Sequence, residues 1–170
     1  MNRRGFRHAR FGRRCDYRTG RIAMDDQTFF HEVAERVASD MRRAEALTFA
    51  VFQELRDRIT PQEAEHVAAQ LPKRLKMMWM SLDRPGRQVR RIHLQEFIGE
   101  VRRIAGLPDD AEAERAVAAV FAALQKLLGS PSGQEGEAWD IMSQLPKDLK
   151  KLWMEAQRKA GGPSGSEFGA

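Results

Sequence analysis

Glu63-x-x-His66 sets a carboxylate and an imidazole three residues apart, a spacing that puts both on one helix face and that carboxylate-bridged metal bundles use. Such a centre needs two of these motifs and two further inward glutamates among long helices. The related segment downstream is Glu137-x-x-Asp140, and Glu63 has a simpler use as the last residue of a helix-capping box. Glu63 and His66 are therefore the metal candidates, with no metal or cofactor expected. His31 and Glu35 form an ordinary helical pair. Cys15 lies among arginines that would favour its thiolate, yet no second cysteine or ordered base accompanies it. A glycine-rich phosphate loop, a nucleophile elbow and zinc-ligand spacing are all missing from the sequence, which reads as non-enzymatic.

Chemistry of binding is better represented. Lys73, Arg74, Lys76, Arg84, Arg87, Arg90 and Arg91 form a basic run, and Lys147, Lys150 and Lys151 form a second one. Both could meet phosphates or an acidic protein, or serve as solvated polar faces with cations near helix ends. No groove-reading motif accompanies them. Trp79 and Trp153 follow lysine-rich turns and could stack on a base, but a tryptophan on an apolar helical stripe more simply closes a core.

The elements that position these residues are announced by a recurrence. Gln70-Leu71-Pro72-Lys73-Arg74-Leu75-Lys76-Met77-Met78-Trp79-Met80 returns 74 residues later as Gln144-Leu145-Pro146-Lys147-Asp148-Leu149-Lys150-Lys151-Leu152-Trp153-Met154. Phe29-x-x-Glu32-Val33 returns as Phe97-x-x-Glu100-Val101, and Val51-Phe52-x-x-Leu55 as Val120-Phe121-x-x-Leu124. The chain reads as an internal duplication of a four-helix unit. In the first copy, Phe29, Phe30, Val33 and Val37 mark a helix over about 28–38 capped by Asp26 or Thr28. A longer one behind Ser39 or Asp40 carries Ala44, Leu47, Val51, Leu55 and Ile59 on one stripe. Thr60-Pro61-Gln62-Glu63 is a capping box with proline at the first helical position, and it opens a third helix. Pro72 divides that helix from a fourth carrying Leu75, Met78, Trp79 and Leu82. In the second copy Gly106 ends the first helix, Asp109-x-x-Glu112 caps the next, and Ser132-x-x-Glu135 caps the third after a longer Gly129–Gln134 turn.

The organisation expected is all-α. Residues 1–24 form a disordered basic arm, 25–158 a single domain and 159–170 a flexible tail. Repeat one spans about 26–82, a linker 83–91 and repeat two about 92–158, and the two repeats pack as one helical body because a unit of that size buries little alone. The formal charge is +5. Eight arginines against Asp16 give residues 1–23 a charge of +7, so the rest of the chain carries −2 and the basicity belongs to the arm. Met24 reads equally well as a start, which would make those residues a mis-assigned leader.

With these motifs in order, the chain resembles a family of bacterial proteins known as domain of unknown function 2267 over about residues 25–156. The matching segments are Phe29–Val33, Ala44–Arg58, Thr60-Pro61-Gln62-Glu63-Ala64 and Ala68-Ala69-Gln70-Leu71-Pro72. The resemblance implies tandem helical repeats and brings no reaction, cofactor or catalytic residue.

No apolar run approaches the roughly 20 residues of a membrane span. A single cysteine permits no intramolecular disulfide, which suits a reducing cytoplasm. The function expected is a non-enzymatic cytoplasmic module that binds a protein or itself, through an apolar groove between the paired Gln-Leu-Pro turns. Nucleic-acid association through the arginine arm and the basic linker is the alternative. Gln70, Leu71, Pro72, Trp79 and their counterparts Gln144, Leu145, Pro146, Trp153 are expected to be architectural.

Overall fold

A computed structural model describes residues 15–16, 21–22, 24–129 and 137–161. Its helices are α1 (Asp26–Arg36), α2 (Met41–Arg56), α3 (Pro61–Gln70), α4 (Lys73–Ser81), α5 (Leu94–Ala105), α6 (Asp110–Leu128), α7 (Glu137–Gln144) and α8 (Lys147–Gly161). The fold is an all-α bundle. Of the expected basic arm, only Met24 and two short pieces are described, β1 (Cys15–Asp16) and β2 (Arg21–Ile22), which pair antiparallel with Cys15 opposite Ile22. The Ser132-x-x-Glu135 cap lies outside the described residues. Helix α8 continues to Gly161, past the boundary expected at 158, because Arg158, Lys159 and Ala160 are good helix formers.

The centre of the bundle is built from the two leading helix pairs. Helix α1 packs on α2 and α6, and α5 packs on α6 and α2, so each pair buries the apolar stripe of the other. Helix α4 lies against α2, α8 against α6, and α3 meets α7. One aromatic chain runs Phe29–Phe52–Trp79, with ring centres 6.2 and 5.2 Å apart. The other runs Phe97–Phe121–Trp153 at 6.0 and 4.8 Å. All six rings are buried. Arg56 donates to the carbonyl of Trp79, and Gln125, 69 residues on, donates to that of Trp153 at 2.7 Å.

Local capping follows the sequence closely. Asp40 accepts from Arg43 N–H, Thr60 from Glu63 N–H and Asp109 from Glu112 N–H. One cap differs from expectation. Asp25, not Asp26 or Thr28, caps α1 by accepting from Thr28 N–H at 2.7 Å. Asp26 is engaged elsewhere: its carboxylate accepts from the N–H groups of Arg74 and Leu75, at 3.2 and 2.9 Å, at the start of α4. Helix α4 begins on Pro72, which offers no side-chain cap, so α1 supplies one. At the matching junction downstream the carboxylate comes from the other side. Leu94 stands at the start of α5, and Asp148 of α8 accepts from Leu94 N–H at 2.7 Å. Burial would raise the Asp148 carboxyl, but the N–H donors of Leu94 and Leu149 outweigh it and hold the group below its ordinary value.

Helices α1 and α5 end in the same six-to-one turn, Ser39 N–H to Ala34 and Leu107 N–H to Arg102, both at 2.9 Å. The left-handed position is Gly106 (φ 61°) in the second and Ala38 (φ 50°) in the first. A Cβ at Gly106 would meet nothing within 4 Å, so the difference between the residues is one of backbone strain. Across the central interface Lys126 reaches Glu32 at 2.7 Å, and Arg36 adds a second cation at 3.4 Å. Burial would raise the Glu32 carboxyl, but Lys126 and then Arg36 outweigh it, and its pKa falls below the ordinary value.

Two outcomes are expected. Ala38→Gly gains about 1 kcal/mol in urea denaturation while Gly106→Ala loses about the same; equal stability of Ala38→Gly and the parent would contradict the strain. Glu32 has a depressed folded-state pKa, so its contribution of about 1 kcal/mol is present above the unfolded carboxylate range and lost as pH falls through the folded value. The stability gap between the parent and Glu32→Gln is therefore open at pH 6 and closes toward pH 3.

Candidate interaction surface on the outer helices

The basic run around the linker separates into two groups with different duties. Residues 83–91 fold back across the end of α2, where the last carbonyls of a helix need donors. Arg87 donates to the carbonyls of Arg56 and Ile59, and the backbone N–H of Arg90 donates to Asp57 O at 2.8 Å. Arg84 pairs with the buried Asp57 carboxylate at 2.6 Å, and Arg56 with Asp83 at 2.8 Å. Arg74 is also engaged, bonded to Glu45 at 2.9 Å with its guanidinium over the Phe30 ring. Arg74, Arg84 and Arg87 of the basic run therefore have partners within the chain.

Beneath the linker lies a buried ion pair that the apolar pattern does not announce. Arg58 bonds Glu54 at 2.9 Å, both almost without exposure, and the guanidinium stacks over Phe97 of α5 at 5.2 Å. Burial pushes the Glu54 carboxyl above its ordinary range against the pull of Arg58. The pair joins α2 to α5, and the desolvation it carries makes it a connector more than a source of stability.

The remaining cations point outward. Lys73 and Lys76 on α4 and Lys147 and Lys151 on α8 are exposed, and Lys150 is half-buried. Among the described residues, no carboxylate lies within ion-pair distance of any of the five. Between them stand exposed methionines: Met77 and Met80 on α4, at 64% and 54%, and Met154 on α8, at 53%. On α8 the lysines, Met154 and Arg158 line an open hollow of about 490 Å³. Arg90 and Arg91 are exposed at the end of the linker.

The other candidates do not converge. Glu63 is buried under the Thr60 cap while His66 faces solvent one turn on, and no group of three metal-ligating side chains occurs among the described residues. Trp79 and Trp153 are buried, and the Trp79 indole N–H donates to Ala64 O at 2.9 Å. Leu71 and Leu145 are buried too, and Gln144 accepts from Thr60 N–H, so the two leucines belong to the core. Another hollow, of about 390 Å³, has Arg36, Arg43, Arg115 and Glu112 in its wall. Sequence reasoning missed it, because its wall comes from the turns after α1 and α5, whose approach no local pattern reveals. Arg36 is bonded to Glu32 and Arg43 to Ala105 O, which leaves it little spare positive charge.

A family model described as an uncharacterized conserved protein, DUF2267, matches residues 26–152, and a further match spans 100–170. The chain belongs to the DUF2267 family. No curated protein matches it. In this DUF2267 member the matched segment takes in the buried pair, the folded linker and the whole lysine–methionine face of α4. No described helix is long and apolar enough to cross a membrane.

Separating structural from outward cations yields a direct check. Arg87→Ala should cost about 1 to 2 kcal/mol in chemical denaturation, since two carbonyls at the end of α2 lose their donor. Arg91→Ala should stay within about 0.5 kcal/mol of the parent.

Proposed function

We propose that this protein is a non-enzymatic, cytoplasmic helical module that works by binding another protein. The observation that carries the reading is the outward face of α4 and α8, where Met77, Met80 and Met154 stay exposed beside lysines that have no carboxylate partner among the described residues. Methionine is flexible and polarizable, and suits a surface that adapts to a partner's side chains. Leaving three of them in water has no benefit for this fold, whose core is filled by the Phe and Trp chains beneath. The single cysteine is in keeping with a reducing compartment.

Nucleic-acid association loses support from the same geometry. Arg84 and Arg87 are held by α2, and neither Trp79 nor Trp153 offers a stacking platform. A photo-crosslinking residue in place of Met77 separates the two readings. Cross-links to protein, absent when the same residue replaces the exposed His31, are the expected result. Failure to cross-link protein, together with duplex DNA binding that weakens steeply with salt, would overturn it.

A further inference from the structure

The 74-residue recurrence contains its own control for what folding requires. Leu75 with Leu149 and Trp79 with Trp153 are identical pairs whose burial explains them. Exposed positions carry no such demand, and across the first three helices of each half they have drifted apart: Glu35 against Arg103, Arg42 against Ala111, Ala46 against Arg115, His66 against Asp140. Where identity at exposed or half-buried positions survives there, Asp40 and Asp109 cap helices, Glu32 and Glu100 are ion-paired, Glu45 (matched by Glu114) holds Arg74, Gln144 (matched by Gln70) accepts from Thr60 N–H, and Gln27 with Gln95 stands by itself.

The last helices behave differently. Lys73 matches Lys147, Lys76 matches Lys150 and Met80 matches Met154, while Arg74 stands against Asp148, Met77 against Lys151 and Ser81 against Glu155. Met80 and Met154 are exposed to the same degree, 54% and 53%. The shared positions fall at i, i+3 and i+7 of each helix, which aligns them in one stripe on the side away from the core. Something other than packing keeps that stripe the same twice.

We infer that α4 and α8 present two equivalent docking faces, each taking an acidic amphipathic helix of a partner protein. The inference rests on the protein-binding reading above and names its partner. Charge complementarity selects the occupant: each stripe sets two lysines beside one methionine, so the ligand must bring carboxylates flanking an apolar side chain. A phosphate backbone would meet the lysines and leave the methionine unused. The open hollow beside Met154 offers room for the apolar anchor.

The test uses the full chain and a synthetic glutamate-rich helical peptide with leucines at i and i+4, fluorescently labelled and followed by anisotropy. Two peptides per chain are expected, with a dissociation constant on the order of 10 µM. Lys76→Glu and Lys150→Glu should each weaken one site at least tenfold, and combined should weaken both. Met80→Ser with Met154→Ser should weaken it about fivefold with an unchanged melting temperature, since both side chains lie outside the core. Peptide binding indifferent to the methionine pair, or a single-stranded oligonucleotide that binds while the peptide does not, would overturn the inference. If the residue placed at position 77 still cross-links protein while the peptide fails to bind, the docking inference falls and the module reading survives.

Discussion

Everything in this structure depends on the mutual burial of two helix pairs. Helices α1 and α2 carry Phe29, Phe52 and Leu55 along one side, and α5 and α6 carry Phe97, Phe121 and Leu124. Four short helices bury too little apolar surface to offset the entropy of ordering them. Crossing α1 onto α6 and α5 onto α2 makes each pair the missing half of the other's core. The remaining elements are consequences. Helices α4 and α8 close the open ends of the aromatic chains, each with a tryptophan as the last ring.

That arrangement brings helix termini into contact, and the contacts are where related positions have exchanged duties. The start of α4 needs a carboxylate for its free N–H groups, and the start of α5 needs one too, because neither Pro72 nor His93 offers a side-chain acceptor as cap. Asp26 reaches from the first helix to the fourth, whereas Asp148 reaches from the eighth back to the fifth. Position 26 corresponds to Leu94 and position 74 to Asp148, so donor and acceptor have exchanged sides while a carboxylate still bridges the junction. Geometry constrains the junction to hold one carboxylate and leaves open which helix supplies it. Ala38 against Gly106 is a looser case, since the left-handed turn tolerates alanine with some strain.

Features legible in the sequence were those whose cause lies within a turn or two. Thr60-Pro61-Gln62-Glu63 and Asp109-x-x-Glu112 speak through bonds spanning three residues, and the apolar stripes through a fixed period, so helices and caps could be read directly. Arg84 and Arg87 could not, because the groups they satisfy lie 27 to 31 residues away at the end of α2. A cation bonded to a distant carbonyl and a cation in water look alike in a sequence. Glu54 and Arg58 were hidden for a related reason: they flank the stripe of Val51, Leu55 and Ile59, and only the arrival of α5 with Phe97 buries them. Asp26 was misread as a cap for its own helix because its true partners are 48 and 49 residues away.

The same logic sets what an outward residue can mean. A buried side chain answers to several neighbours at once, and its identity in both halves follows from the space it fills. Lys73, Lys76 and Met80 answer to none of these constraints: the core of α4 is held by Leu75 and Trp79, its start by Asp26, and its flank by Arg74 on Glu45. Once each structural demand on a nine-residue helix has been met by a named residue, those left over are free to differ. Most of them do differ on α1, α2 and α3, where Glu35 faces Arg103 and His66 faces Asp140 across the recurrence. The sameness of Lys73, Lys76 and Met80 with their counterparts on α8 is what the proposed docking accounts for, and its chemistry is two cations around a methionine.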